Sequence, residues 1–330
     1  MGRVVITGVG GISALGSSWP DIRACLRAGR NAVRYMTEWD SLTDLNTRLA
    51  APIDGFKPPA HWTRKQLRSM GRVSQFAVRA SELALADAGF AGDPSIKDGR
   101  MGVACGSSVG STPDIRNFVE MLQTGKSGGL NANSYVRMMP HTAAANVGIF
   151  FGLTGRIIPT SSACTSGSQG IGYACEAIRS GRQTLMLAGG AEELCPSEAI
   201  AFDILYATSR RNDSPAQTPR PYDKDRDGLV VGEGAAMFVL EDRDHALTRG
   251  ARIHAEVVGA DHRLRQRPRN RHRTRGHCRD PRHVIAARQS HAHQHPEKLP
   301  WTYTRRLRSA RGLVHDRNDE RRLVRAHDQP

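Results

Sequence analysis

No apolar run in the 330 residues approaches the ~18 that a membrane-spanning helix needs, so no membrane segment is expected. The opening Met1-Gly2-Arg3-Val4-Val5-Ile6 lacks the charged region and cleavage site of a secretory leader. The six cysteines include no Cys-x-x-Cys pair, which argues against a disulfide scaffold, a zinc ribbon or any other metal site built on them. A cytoplasmic protein without a metal or cofactor is the expectation.

What the chain has in excess is positive charge: 47 Lys and Arg against 32 Asp and Glu, a net +15. That surplus is local. Residues 262–330 hold 19 basic and 6 acidic side chains, a net +13, together with 9 of the 13 histidines. Residues 1–261 hold 28 against 26, a net +2. A near-neutral body, 1–261, is therefore followed by a basic tail, 262–330, with no helical or strand period. The tail is expected to be irregular.

The body alternates short β-branched or apolar runs with helical patterns. Strands are expected at 3–7, 101–106, 184–190, 236–241 and 253–258, and helices near 21–30 and at 74–88, 112–124, 137–150, 167–180 and 197–206. Gly89 closes the 74–88 helix in the manner of a C-cap. Apolar residues on both faces of 184–190 read as a central strand, and the whole as α/β with a parallel or mixed sheet.

Two motifs mislead. Gly8-Val9-Gly10-Gly11 after a strand suggests a dinucleotide loop, but no second strand ending in an acid follows, and a tight turn with close backbone packing is the better reading. Asp223-Lys-Asp225-Arg-Asp227-Gly228 opens like a calcium loop, yet Gly234 stands where a bidentate Glu is required. A charged turn feeding a strand at 229–240 is expected instead.

The informative stretch runs from Ile157 through Ser161-Ser-Ala-Cys164-Thr-Ser-Gly167 into a glycine-containing helix. A thiol at a helix N-terminus faces unpaired N–H groups and the positive end of the macrodipole, both of which favour an anion there. Cys164 is the candidate nucleophile, and its own N–H a candidate oxyanion donor. Gly167, Gly170 and Gly172 leave room for backbone or substrate to approach. Cys25, Cys105, Cys175, Cys195 and Cys278 are expected to be packing residues.

Ser161-Ser-Ala-Cys164-Thr-Ser-Gly resembles the nucleophile motif of the β-ketoacyl-acyl-carrier-protein synthases, the condensing enzymes of the thiolase fold. Three more stretches agree in order: Val4-Val-Ile-Thr-Gly-Val-Gly-Gly-Ile-Ser-Ala-Leu-Gly16, Gly189-Gly-Ala-Glu-Glu193, and Ser209-Arg-Arg-Asn-Asp213 with Arg220-Pro-Tyr-Asp through Gly232-Glu-Gly-Ala235. The resemblance implies a layered α-β-α-β-α fold, of which this chain would hold the N-terminal half and the start of the second. It implies Cys164 as acyl acceptor and decarboxylative condensation with malonyl-carrier protein in fatty-acid or related polyene or polyketide synthesis. By matched position Val109 and Phe202 would line the acyl pocket. Arg64, Lys65 and Arg68, with Arg72 on one helix face, would meet the acidic carrier protein. A homodimer or heterodimer is implied, with neither nucleic acid nor membrane as partner. A non-condensing acyltransferase or thioester hydrolase using Cys164 is the alternative, and a nucleic-acid-binding protein with a basic arm a third reading.

After Asp261 the family's two histidines, its lysine and its glycine-rich loop do not follow. At face value 262–330 is a basic arm. Read one base over, Trp301 must become Gly, because Trp has a single codon. Synonymous codons then let Pro296 to Arg308 spell Leu-Lys-Ser-Tyr-His-Gly-His-Thr-Leu-Gly-Ala-Cys-Gly. That string resembles the family's lysine and histidine motif. His262 to Asn270 can spell Thr-Ala-Ser-Asp-Ser-Ala-His-Val-Thr in the same frame, and both fall in family order. A frameshift near Asp261 accounts for both strings. It makes His291, His293 and His295 a product of translation in the wrong frame rather than a metal site. Resequencing the coding DNA across codons 255–310 is expected to return codons compatible with both shifted strings, and incompatible codons would overturn the frameshift.

Overall fold

The computed structural model describes residues 2–258. The expected boundary at 261/262, the irregular basic tail, Cys278 and the His291, His293, His295 group lie outside the described residues. In chain order the elements are β1 (Val4–Ser13), α1 (Trp19–Arg27), β2 (Arg34–Tyr35), β3 (Leu49–Ala51), α2 (Arg64–Leu67), α3 (Arg72–Asp87), β4 (Met101–Gly106), α4 (Thr112–Thr124) and α5 (Ala132–Met138). They continue with α6 (Thr142–Phe151), β5 (Ile157–Thr160), α7 (Ser166–Arg179), β6 (Leu185–Glu192), α8 (Pro196–Asp203), β7 (Val231–Gly232), β8 (Gly234–Asp242), α9 (Arg243–Thr248) and β9 (Ala255–Glu256).

Six strands form a mixed sheet in the order β5-β4-β6-β8-β1-β9. β5, β4 and β6 run parallel, while β8 is antiparallel to both β6 and β1. The two-residue period of a strand sorts its side chains between two helix layers. Leu185 and Leu187 of β6, with Met101, Val103 and Cys105 of β4, pack with Phe76, Ala77, Ala80 and Ala84 of α3 and with Ala143, Ala144 and Val147 of α6. The alternate residues Met186, Ala188 and Ala104 pack with Ala174, Cys175 and Ile178 of α7 on the opposite face. The described residues are thus an α-β-α sandwich, and the apolar run of β6 is continuous because both faces are covered. A small sheet, β2-β3-β7, sits over a separate cluster of Met36, Trp39, Leu45, Ala50 and Ala199.

The strand expected at 101–106 and the helix at 112–124 have these bounds in the fold. Four local expectations are corrected. The glycines at 8–11 form no turn: β1 runs on to Ser13, and the chain bulges between Ile6 and Gly8 instead. Close packing is the reason for the glycines. A Cβ on Gly8 would stand 2.2 Å from the Ala84 carbonyl oxygen, and one on Gly10 would stand 2.1 Å from that of Ala80. The helix expected over 137–150 is two, because Pro140 disfavours the helical conformation for Met139, which is extended at φ −89°, ψ 128°. The run Arg64 to Arg72 is not one helix. α2 ends at Leu67 and α3 starts afresh after Gly71, whose Cβ would lie 2.5 Å from that of Ser111. Arg72 consequently leaves the surface row. Its guanidinium donates to Glu233 at 2.6 and 2.8 Å and to the Ile53 carbonyl at 2.8 Å. The strand expected over 229–240 is split by that same Glu233, which lies between β7 in one sheet and β8 in the other and also accepts from the N–H groups of Ile53 and Leu194.

A second buried carboxylate closes the other end of the sheet. Glu241 of β8 is fully buried and accepts from Thr7 at 2.7 Å, from Arg249 through two bonds at 2.7 Å, and contacts the His245 ring at 2.6 Å. Burial pushes its carboxyl up, but the hydrogen bonds from Arg249, Thr7 and His245 outweigh that and hold it below the ordinary glutamate value. Because the folded value is depressed, the stability it contributes is present above the unfolded value and lost as pH falls through the folded one.

Three outcomes follow for equilibrium denaturation. Gly10→Ala should destabilise the protein by about 3 kcal/mol or more, since the added Cβ would meet the α3 backbone at Ala80 and Ala84, which cannot yield as a flexible side chain would. Gly129→Ala, at a position with open space, should stay within about 0.5 kcal/mol of wild type. Glu241→Gln should cost about 3 kcal/mol at pH 7, where Arg249 loses its buried counter-charge, and the deficit relative to wild type should shrink as the pH is lowered below about 4.

Candidate active site

Three segments follow the carboxyl ends of the parallel strands β5, β4 and β6. The first is the loop from β5 to α7. Ser166, the first residue of α7, is buried; its hydroxyl accepts from Ser162 N–H at 2.9 Å and donates to the Ala163 carbonyl at 2.6 Å. Thr165 donates to the Ser162 carbonyl at 2.9 Å, and Thr160 to the Ser166 carbonyl at 2.9 Å. These hydroxyls wind the chain so tightly that Ala163 sits at φ +53°, a left-handed conformation costing an L-residue roughly 1–2 kcal/mol. Cys164 follows directly and is exposed. The expected elbow is therefore present, with Thr165 interposed between the thiol and the helix. The first turns of α7 come close to the sheet through Gly167 and Gly170. A Cβ on Gly170 would meet the carbonyl oxygens of Ala104 at 2.8 Å and Gly189 at 3.0 Å.

The second segment is the 107–111 loop that carries Val109. Its serines hold it to both neighbours. Ser107 donates to Glu192 at 2.9 Å, Ser108 N–H donates to the same carboxylate at 2.5 Å, and the Ser107 carbonyl accepts from Ser161 at 3.1 Å. The adjacent Glu193 is buried and accepts from the Thr112 N–H and hydroxyl, both at 2.7 Å, and from Val73 N–H at 3.2 Å. Two consecutive glutamates at the end of β6 thereby hold both ends of the Val109 loop. Gly110, at φ +84°, allows the loop to turn against the Met138 carbonyl, which a Cβ there would approach to 2.4 Å.

The third is α8 with Phe202, which is half-buried, as is Val109. α8 is fixed at its end by buried Asp203, which accepts from Asn46 N–H at 2.7 Å, the Asn46 side chain at 2.8 Å and Thr208 at 2.5 Å. Four residues before Phe202, Glu198 has a buried Oε1 with no hydrogen-bond partner among the described residues. Burial, then the charges of Glu192 and Glu193, push its carboxyl up to about 8. Burial also pushes Glu193 above the usual carboxylate range. None of these three glutamates was singled out from the sequence as a site residue; Glu192 and Glu193 stood there only as the end of the Gly189-Gly-Ala-Glu-Glu193 motif, and Glu198 carried no signal.

The remaining candidates fall elsewhere. Arg64, Lys65 and Arg68 are exposed on α2 and just beyond it, without ion pairs among the described residues. Cys105 and Cys175 are buried; burial pushes the Cys105 thiol up to about 12 and raises that of Cys175. Cys25 and Cys195 are half-buried rather than core residues. Two cavities of about 380 and 360 Å3 open on the described surface, and neither is lined by Cys164, Val109 or Phe202. Among the described residues no group of three His, Cys, Asp or Glu side chains is arranged to hold a metal ion. No helix there is long and apolar enough to cross a membrane.

Residues 1–246 match the profile of the family described as β-ketoacyl synthase, N-terminal domain. The chain is 38% identical over 267 residues to a granaticin polyketide putative β-ketoacyl synthase 1 of Streptomyces violaceoruber, and 36% identical over 267 residues to a 3-oxoacyl-[acyl-carrier-protein] synthase 2 of Vibrio cholerae. Each alignment covers 78% of this chain and 62% of the relative. A crystal structure of a β-ketoacyl synthase from Burkholderia phymatum superposes with a TM-score of 0.77 at 66% identity, over 78% of this chain and 64% of that one. The chain therefore spans about six tenths of the length of the relatives it matches. A thiolase-like sandwich with a cysteine on a strained elbow above three parallel strands, together with these matches, places the chain in the β-ketoacyl synthase family.

Proposed function

We propose that Cys164 accepts an acyl group from an acyl-carrier-protein thioester, the first half of a β-ketoacyl synthase reaction. The observation that supports this best is the exposed thiol at the end of a hydroxyl-braced, left-handed turn. A strained residue beside a reactive one is a device for aiming a side chain, and the strain persists only because surrounding bonds hold it. The Cys164 thiolate attacks the thioester carbonyl, its sulfur–carbon bond forms, and the carrier thiolate leaves. The backbone N–H of Cys164 itself, just before α7, is the donor we assign to the developing oxyanion. The acyl chain then runs past the Val109 loop towards Phe202.

In the second half-reaction malonyl-carrier protein loses carbon dioxide, and the resulting enolate attacks the acyl-cysteine. The β-ketoacyl carrier thioester is released and the Cys164 thiolate restored. The histidines and lysine that the family uses for decarboxylation do not follow in family order after Asp261. We therefore assign this chain acyl transfer in place of full condensation, and condensation to the polypeptide of the restored frame. Arg64, Lys65 and Arg68 are the cations we assign to the acidic carrier protein; their exposure and their lack of ion pairs among the described residues support this. The Vibrio relative's name specifies an acyl-carrier-protein substrate, and we place the reaction in the cytoplasm with the soluble carrier. Pairing with a second synthase subunit belongs to the same reading.

Incubating the 330-residue protein with octanoyl-carrier protein should add one octanoyl mass, located on Cys164 by peptide mapping. Cys164→Ala should abolish the adduct and Cys175→Ala should retain it. An adduct that survives Cys164→Ala would overturn the assignment.

A further inference from the structure

Glu198 is at odds with its position. An acid in the first turn of a helix ordinarily serves as an anion facing water, stabilised by the macrodipole. Here one carboxyl oxygen is buried and has no hydrogen-bond partner among the described residues. The neighbouring glutamates offer it nothing, because they are acceptors already committed to Ser107, Ser108, Val73 and Thr112. Leaving a buried polar atom unpaired is costly, so a partner is to be sought in whatever occupies the space it faces.

The position of α8 suggests which space that is. Residues four apart share a helix face, so Glu198 lies on the face of Phe202. Ala199, the next residue, packs instead into the Met36–Trp39–Leu45 cluster. Glu192 and Glu193, whose charges act on Glu198, grip the two ends of the loop bearing Val109. Glu198 thus shares a helix face with Phe202 and feels the charges of the carboxylates that grip the Val109 loop, on a helix pinned at its other end by Asp203.

We propose that Glu198 is a specificity-determining residue of the acyl site, offering a carboxyl group that favours acyl chains bearing a hydroxyl or carbonyl along their length over plain alkyl chains. The proposal rests on the reading of Cys164 as acyl acceptor. With its carboxyl pushed up to about 8, Glu198 keeps its proton at pH 7 and is both donor and acceptor, able to pair with either group. An apolar wall discriminates weakly against an added oxygen, whereas a buried polar group left unpaired discriminates strongly against its absence.

The 330-residue protein would be incubated with N-acetylcysteamine thioesters of octanoate and of octanoates carrying one hydroxyl or keto group at successive carbons. Rates of Cys164 adduct formation are read by mass spectrometry. At least one oxygenated chain should transfer about tenfold faster than octanoyl, a difference of about 1.4 kcal/mol. Glu198→Leu should remove that preference, and Glu198→Gln, which still hydrogen-bonds, should keep most of it. Equal ratios in wild type and Glu198→Leu would overturn the proposal. The matching N-ethyl amides, which bind without reacting, would be tested for protection of Cys164 from iodoacetamide. Absence of any adduct alongside a Glu198-dependent protection ratio would count against the transfer reading alone. Protection that ignores oxygenation, or a preference that persists in Glu198→Leu, would sink the role of Glu198.

Discussion

The structure depends on helices lying directly on sheet backbone. Gly8 and Gly10 of β1 leave space that the carbonyls of α3 fill, and Gly170 lets α7 rest on β4 and β6 from the other side. Protein interiors transmit such contacts because they are close-packed. With both helices held at backbone distance, the ends of β5, β4 and β6 have little freedom. The turn carrying Cys164 is built on those ends.

From that platform the site is organised by carboxylates rather than by apolar packing. Glu192 and Glu193 hold the Val109 loop, Glu233 joins the two sheets to α3 through Arg72, Asp203 pins α8, and Glu241 closes the far end of the sheet with Arg249. Each carboxylate accepts several donors, which is what makes burial of an anion tolerable. Glu198 is the exception in this set: one of its oxygens has no partner among the described residues, and burial, then the charges of its neighbours, disfavours its ionisation. A group left unsatisfied among so many satisfied ones is more informative about ligand chemistry than the apolar residues around it.

The parts of this arrangement visible in the sequence are those governed by local rules. The strand at 101–106 and the helix at 112–124 follow from uninterrupted patterns with clear ends, and the cysteine stood out because small residues follow it in a helical register. The glycines at 8–11 were misleading because a turn and a crowded strand ask for the same residue; only α3 overhead tells them apart. The basic row from Arg64 to Arg72 looked continuous because periodicity carries no sign of the break at Gly71, which Ser111, forty residues away, imposes. The glutamates at 192, 193 and 198 gave no sign of a role for the same reason, since the partners of Glu192 and Glu193 at Ser107, Thr112 and Val73 are remote in sequence and the burial of Glu198 arises only in the fold.

The sequence by itself determined the α/β class, the positions of the main strands and helices, the family, the candidate nucleophile and the point near Asp261 where family text stops. All of these are carried by residue type at short spacing. The tertiary structure decided which glycines serve packing, which charged residues turn inward, how the Val109 loop is tied to the Cys164 loop, and that one buried oxygen of Glu198 has no partner among the described residues. Those are properties of contacts between distant segments, and burial, which sets their energy, exists only once the chain has folded.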